Sequence, residues 1–248
     1  MYNPFSLEGK TILVTGATSG IGKSTAVECA KMGANVVITG RNEKRLQETF
    51  NMLEGENNQM IVADLSNEDS LKKLVEQCPS LDGLVNNAGI TITLPTQFIS
   101  REKLEQVMGI NTIAPILLMQ KLLKSKKLLK GSSIIFTSSV SGPINAVLGN
   151  AMYSTSKAAV MGFVRNSALD LANKNIRVNA VCPGMINTHI LDDSAISEEQ
   201  LAEEVKKYPL KRFGNPNEVA YAIIYFLSDA STFTTGSSLV IDGGFTLA

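Results

Sequence analysis

The stretch TILVTGATSGIG, Thr11 to Gly22, decides how this chain folds. Its first five residues are apolar or β-branched, the composition of a strand buried on both faces. A glycine-rich turn follows at once, and helical spacing begins near residue 21 and runs to about 32. The tight turn needs Gly16, close backbone approach favours Gly20 and Gly22, and the helix that follows points its positive amino end at whatever sits there. Placed between a strand and a helix at the start of a βαβ unit, such a turn implies binding of a dinucleotide pyrophosphate.

The same alternation runs outward to both ends of the chain. Strand-like runs recur at NVVIT (Asn35 to Thr39), QMIVA (Gln59 to Ala63), DGLVN (Asp82 to Asn86), SIIFTS (Ser133 to Ser138), IRVNAVC (Ile176 to Cys182) and SSLVID (Ser237 to Asp242). Between them the spacing predicts helices near 43–54, 67–77, 101–125, 152–173 and 217–228. The last begins Asn215-Pro216-Asn217-Glu218, with a cap, a first-turn proline and a glutamate placed to reach back. The predicted fold is α/β, a single-domain doubly wound Rossmann fold over residues 1–248 whose seven-stranded parallel sheet carries helices on both faces.

Composition narrows the function classes. Hydrophobic residues make up 44% of the 248, and formal net charge is zero, so a broad electrostatic footprint for nucleic acid is absent. No apolar stretch is long enough to span a bilayer, and MYNPFSLEGK lacks the layout of an export signal, so a cytoplasmic protein with no membrane partner is expected. Cys29, Cys78 and Cys182 are odd in number and widely spaced, which suits small buried hydrophobes better than disulfides or zinc. His189 is the only histidine and has no ligand set near it, so no metal site is expected.

Candidate site residues gather after the strands. The second strand ends Thr39-Gly40-Arg41-Asn42, without the acidic residue that binds the ribose hydroxyls of NAD. Arg41 can instead meet a 2′-phosphate, which favours NADP(H) with NAD(H) possible; the plainer alternative is a solvated residue opening the next helix. Asp64 follows the third strand, Asn86-Asn87-Ala88-Gly89 the fourth, Ser138-Ser139 the fifth and Pro183-Gly184 the sixth. Ligands of open parallel sheets bind outside the carboxyl ends of strands, so these segments should converge on one crevice. Tyr153 and Lys157 stand four apart in YSTSKAA; on a helix they share a face, and the ammonium can favour the ionised phenol.

These motifs together, TGATSGIG, NNAG at Asn86 to Gly89, Asn111, SSVSG at Ser138 to Gly142, YSTSK at Tyr153 to Lys157 and PGMINT at Pro183 to Thr188, resemble the short-chain dehydrogenase/reductase family over essentially the whole chain. Within it the chain is most similar to the 3-oxoacyl-[acyl-carrier-protein] reductase branch. The resemblance implies an oxidoreductase moving hydride between nicotinamide and a carbonyl or secondary alcohol. Tyr153 would be the general acid or base, Lys157 would lower its pKa and hold the nicotinamide ribose, Ser139 would bond the substrate oxygen, and Asn111 would anchor a relay water. Cofactor contacts would come from Gly16, Thr18, Ser19, Gly20, Ile21, Gly22, Arg41, Asp64, Leu65, Asn87, Ala88, Gly89, Tyr153, Lys157, Pro183, Gly184, Ile186 and Thr188, the last two at the carboxamide.

Duller roles stand beside several of these. Ser139 could satisfy a strand end while Ser138 reacts, Asn111 could be a polar break in a helix, and Asp64 an acidic turn residue. A sugar, polyol or steroid dehydrogenase and a non-catalytic NADP-binding regulator are the rival functions. Substrate specificity should sit in Thr91 to Ser100, Ser141 to Met152 and a substrate lid at about 187–212.

Partners are less legible. Lys121, Lys124, Lys126, Lys127 and Lys130 could dock an acyl carrier protein or simply suit a helix end. By resemblance, Lys130 and Lys174 replace two carrier-contacting arginines. The acidic lid, Asp192, Asp193, Glu198, Glu199, Glu203 and Glu204, would repel such a carrier. The family implies a homotetramer or homodimer.

Overall fold

The computed structural model describes residues 2–188 and 198–247. Seven strands, β1 (Thr11–Thr15), β2 (Asn35–Gly40), β3 (Gln59–Val62), β4 (Leu81–Asn86), β5 (Leu128–Thr137), β6 (Arg177–Pro183) and β7 (Ser238–Ile241), form one sheet in the order β3-β2-β1-β4-β5-β6-β7. Every pairing is parallel. The chain winds outward from β1 to β3, then returns beside β1 with β4 and winds the other way. That reversal opens a crevice between the loops after β1 and β4.

The helices are α1 (Gly20–Lys31), α2 (Glu43–Phe50), α3 (Glu68–Gln77), α4 (Arg101–Met108), α5 (Ala114–Lys124), α6 (Ala151–Leu171), α7 (Glu198–Lys206) and α8 (Pro216–Leu227). They cover both faces, and the two-residue period of the strands sorts side chains between two cores. Leu13, Val37, Ile134, Phe136, Val178 and Ala180 pack with α3, α5 and α6. Their neighbours Ile12, Val14, Val36, Ile38, Ile135 and Val181 pack with α1 and α8. Each fully buried aliphatic side chain of this kind contributes about 1.5–3 kcal/mol. The three cysteines are free and buried among these residues.

The expected α8 start holds: Pro216 occupies the first turn and Glu218 accepts from Asn215 N at 2.7 Å. Two expectations change. The helix foreseen over 43–54 ends at Phe50. The helix foreseen over 101–125 is interrupted by a π segment, Gly109–Ile113, in which Ala114 N reaches back to Gly109 O. One extra residue in the turn swings Asn111 inward until only 2% of it is exposed.

Among the described residues no helix is long and apolar enough to cross a membrane, and no cluster of metal-ligating side chains occurs.

Candidate active site

The cofactor end of the crevice is shaped by places where a side chain will not fit. Gly16 has φ +66°, and a Cβ there would lie 2.8 Å from Ala88 Cα. At Gly22 a Cβ would meet Gly16 O at 2.3 Å. Ser19, the residue before α1, makes no side-chain cap, and the first turn holds no acidic residue, so the N–H groups of that turn are left uncapped by side chains at the start of the helix. Thr18 packs over Gly40, where a Cβ would come within 2.6 Å of the Thr18 methyl. This cradle fits a pyrophosphate, and Gly16 and Gly20 have the positive φ that L side chains rarely adopt.

Thr15, overlooked in the sequence although it opens the glycine motif, ties that turn to β4. Its hydroxyl accepts from Asn87 N at 3.0 Å and Ala88 N at 3.1 Å and donates to Val85 O at 3.3 Å. Asn87 Nδ2 donates to Thr15 O at 3.3 Å, and its Oδ1 accepts from Thr137 at 3.3 Å. Asn87 thus braces β1, β4 and β5 where they converge. Gly89 lies between Asn111 and Lys157, since a Cβ there would be 3.2 Å from Asn111 Oδ1 and 3.6 Å from Lys157 Nζ.

Beyond β2, Arg41 is exposed while Asn42 caps α2 by accepting from Arg45 N at 3.0 Å. Arg41 and Leu65 line a cleft of about 440 Å³ with Ser66, Gln106 and Ile110. Asp64 Oδ1 accepts from Ser66 N at 2.9 Å and Ser66 Oγ at 2.7 Å, the turn role weighed against an adenine contact. Those bonds hold its carboxylate below the usual range, and Arg41 adds a smaller pull.

At the other end α6 presents Tyr153 and Lys157 on one face, with Lys157 Nζ 5.5 Å from the Tyr153 ring centroid. Lys157 is buried and donates to Thr137 O at 2.7 Å; burial pulls its pKa down to about 8. The expected lowering of the Tyr153 pKa does not occur: burial raises it, and a hydrogen bond with Ser139 offsets only part of that. The reason is that the phenol is itself buried, so its anion would lose more hydration than the neighbouring hydroxyl returns.

The two serines have different tasks. Ser138 Oγ donates to Lys157 O at 3.1 Å, which spends its only hydrogen. Ser139 Oγ accepts from Ser141 N at 3.1 Å and turns its hydroxyl toward Tyr153 instead of the helix backbone. Asn111 Nδ2 donates to Ile90 O at 2.9 Å and Ser156 Oγ at 3.0 Å, while Oδ1 accepts from Ile90 N at 2.8 Å. Both amide hydrogens are used, so Asn111 can hold a water only as acceptor.

The loop after β6 completes the crevice. Gly184 N donates to Ile241 O at 2.9 Å, Pro183 ends β6, and Ile186 is buried in a bridge to Gly214. Thr188 reaches the glycine turn: its Cγ2 lies 3.0 Å from where a Gly20 Cβ would be. Tyr208, another residue that no local motif marks, pins this loop. Its hydroxyl accepts from Met185 N at 3.0 Å, and its ring stacks on Phe245 at 4.8 Å between centroids.

Of the lid, Glu203 and Glu204 pair with Lys206 and Lys207, so this part is less acidic than a count of carboxylates suggests. His189, Asp192 and Asp193 lie outside the described residues. Among the basic run, Lys121 pairs with Glu68 at 3.3 Å and Lys127 donates to Cys78 O at 2.6 Å. Lys130 and Lys174 are exposed at the amino ends of β5 and β6, the sheet edge opposite the crevice.

Comparison with known proteins agrees with this geometry. The family model described as "Enoyl-(Acyl carrier protein) reductase" matches residues 16–246. An uncharacterised oxidoreductase of Thermotoga maritima is 38% identical, over 97% of this chain and 99% of its own length. A 3-oxoacyl-[acyl-carrier-protein] reductase FabG of Rickettsia felis is 35% identical over 96% of this chain and 97% of its own. A glucose 1-dehydrogenase of Gluconobacter oxydans is 39% identical over 96% and 92%. A crystal structure from Agrobacterium tumefaciens, described provisionally as a gluconate dehydrogenase, superposes with a TM-score of 0.90 at 26% identity and full coverage of both chains. With sequence likeness running nearly end to end and the fold matching throughout, the chain belongs to the short-chain dehydrogenase/reductase family of NAD(P)(H)-dependent oxidoreductases.

Proposed function

We infer that this protein is an NADP(H)-dependent carbonyl reductase, or the corresponding alcohol dehydrogenase, of the 3-oxoacyl-[acyl-carrier-protein] reductase kind. The observation that carries this reading is the division of labour at the head of α6. Ser139 sets its hydroxyl against the buried Tyr153, while Ser138 is spent on the helix backbone. The Gly16–Gly22 turn, Asn87 to Gly89, and Pro183, Gly184, Ile186 and Thr188 would hold a nicotinamide dinucleotide, which would supply or accept the hydride.

The remaining chemistry belongs to the chain. Ser139 Oγ donates to the carbonyl oxygen and fixes its position. Tyr153 donates the proton to that oxygen; burial keeps the phenol protonated at neutral pH, which suits reduction. Lys157, near neutrality in its own titration, passes a proton toward Tyr153 and holds the nicotinamide ribose. Asn111 fixes Ile90 and Ser156 and offers acceptor positions to a relay water.

Tyr153→Phe tests the reading: cofactor affinity should stay within about twofold while kcat falls on the order of 10³-fold, since only the transferable proton is lost. Turnover near wild type removes Tyr153 from the mechanism. The NADP(H) preference rests on Arg41, which stands where an NAD-binding carboxylate would. Arg41→Ala should narrow the ratio of NADPH to NADH kcat/KM by roughly tenfold, and equal use of both cofactors by the wild type would sink that assignment.

Assembly into a homotetramer or homodimer is supported by exposed Ile113 in the π segment, Leu117 on α5 and Leu169 on α6, and light scattering reads it directly. Three free, buried cysteines suit a cytoplasmic setting.

A further inference from the structure

The two loops that wall the carbonyl side of the site carry no charge at all. Thr91 to Ser100, after β4, and Ser141 to Met152, between β5 and Tyr153, contain no Asp, Glu, Lys, Arg or His. With 19% of the chain charged, chance leaves two such windows empty in roughly one chain in a hundred. The uncharged stretch continues to Ile90 on one side and through Ser138 and Ser156 on the other.

The structure joins these loops into one wall. Leu94 N donates to Gly149 O at 2.8 Å, and Thr93 Oγ1 donates to Asn150 Oδ1 at 3.2 Å. Gly149, at φ +76°, makes the close approach possible, because a Cβ there would lie 2.8 Å from the Thr93 methyl. Asn145 Oδ1 is taken by Ala146 N at 2.8 Å. The amide oxygens of Asn145 and Asn150 are thus taken within the wall, and the large side chains that the second loop leaves in solvent are apolar: Ile144 is 47% exposed, Val147 43% and Leu148 98%. Nor is a cation on offer beside the reacting pair, since the Lys157 ammonium is buried against Thr137 O.

We propose that the substrate of this site is a neutral carbonyl compound bearing an apolar chain, which lies along Ile144, Val147 and Leu148, and that the same wall rejects oxo acids and polyhydroxy sugars. This rests on Ser139 and Tyr153 being the carbonyl-facing pair. A carboxylate brought against the wall loses hydration and finds no counter-charge, and each sugar hydroxyl laid on Ile144, Val147 and Leu148 loses a water partner to an apolar surface. An apolar chain gains from the same surface, by up to about fourfold in kcat/KM for each methylene that it covers.

The test is a steady-state series with NADPH: methyl ketones and 3-oxoacyl thioesters of increasing length, 2-oxo acids of matched length, and aldoses. The proposal expects kcat/KM to climb with chain length for the neutral compounds, and the acids and aldoses to fall at least about a hundredfold below the best of them. Leu148→Asp, and separately Val147→Asp, should flatten that climb with NADPH binding retained. A wild-type preference for an oxo acid or an aldose overturns the proposal while leaving the oxidoreductase reading intact. So does a climb that survives both substitutions, or a change in oligomeric mass alone, which would make Leu148 a contact between copies. Tight NADPH binding with turnover of no carbonyl overturns both.

Discussion

The cofactor end of the crevice is made of backbone, and the carbonyl end is made of side chains. From Gly16 to Gly22 the decisive features are missing Cβ atoms and uncapped N–H groups, set against Ala88 and Asn87. From Ser138 to Lys157 they are hydroxyls, a phenol and an ammonium, each aimed by a second bond: Ser139 by Ser141 N, Lys157 by Thr137 O, Asn111 by Ile90. Backbone recognition depends on local conformation, which a glycine pattern announces. Side-chain aim depends on neighbours brought in from distant parts of the chain.

That difference can be broken at either end. The largest effect is expected at Gly22→Ala: a methyl 2.3 Å from Gly16 O forces the turn to move. NADPH affinity should fall on the order of a hundredfold, with about 1–3 kcal/mol of stability lost to overpacking. Unchanged binding by calorimetry would show that the turn is not the pyrophosphate site.

A smaller effect is expected at Tyr208→Phe, which keeps the ring on Phe245 but leaves Met185 N without its acceptor. Leaving a fully buried donor unpaired costs about 1–3 kcal/mol, and this half-buried one falls at the lower end. The KM for NADPH should rise roughly tenfold, while 2′,5′-ADP, which carries no nicotinamide, binds as before. A drop in melting temperature with both affinities unchanged would make Tyr208 structural only.

The smallest is a pH effect at Lys157. Its folded pKa, about 8, lies below the ordinary lysine value of 10.5, so the native state sheds this proton first as pH rises. The cost of burying the cation is present in full below pH 8 and is relieved between 8 and 10.5, so stability increases with pH there. Unfolding free energy should gain about 1 kcal/mol from this group between roughly pH 7 and pH 9. Lys157→Met should remove that increment; an identical pH dependence in the variant would contradict the burial argument.

Much of this was legible before any coordinates. Each strand run could be marked because β-branched residues between helix-length segments report a sheet covered on both faces, and the sorting of Leu13 from Ile12 and Val14 follows from a period of two. The glycine turn and the Tyr153 and Lys157 spacing are local facts, and the structure keeps both. The π segment was not legible. An apolar, helix-forming run continues through Gly109 to Ile113, and the extra residue is stabilised by Asn111 bonding Ile90 and Ser156, neither of them local. Nor was the direction of the Tyr153 shift legible: adjacency to an ammonium is a local inference, whereas burial of the phenol is tertiary.

The architecture, the anion cradle and the identity of the groups that can exchange a proton are written locally in the chain, because periodicity, glycine and side-chain chemistry act within a few residues of themselves. Long-range packing settles which serine turns to Tyr153 and which to the helix backbone, that Thr15 joins the cofactor turn to β4, and that Tyr208 holds the loop after β6. Those are hydrogen bonds across tens of residues, and their existence depends on which strand ends the sheet order brings together.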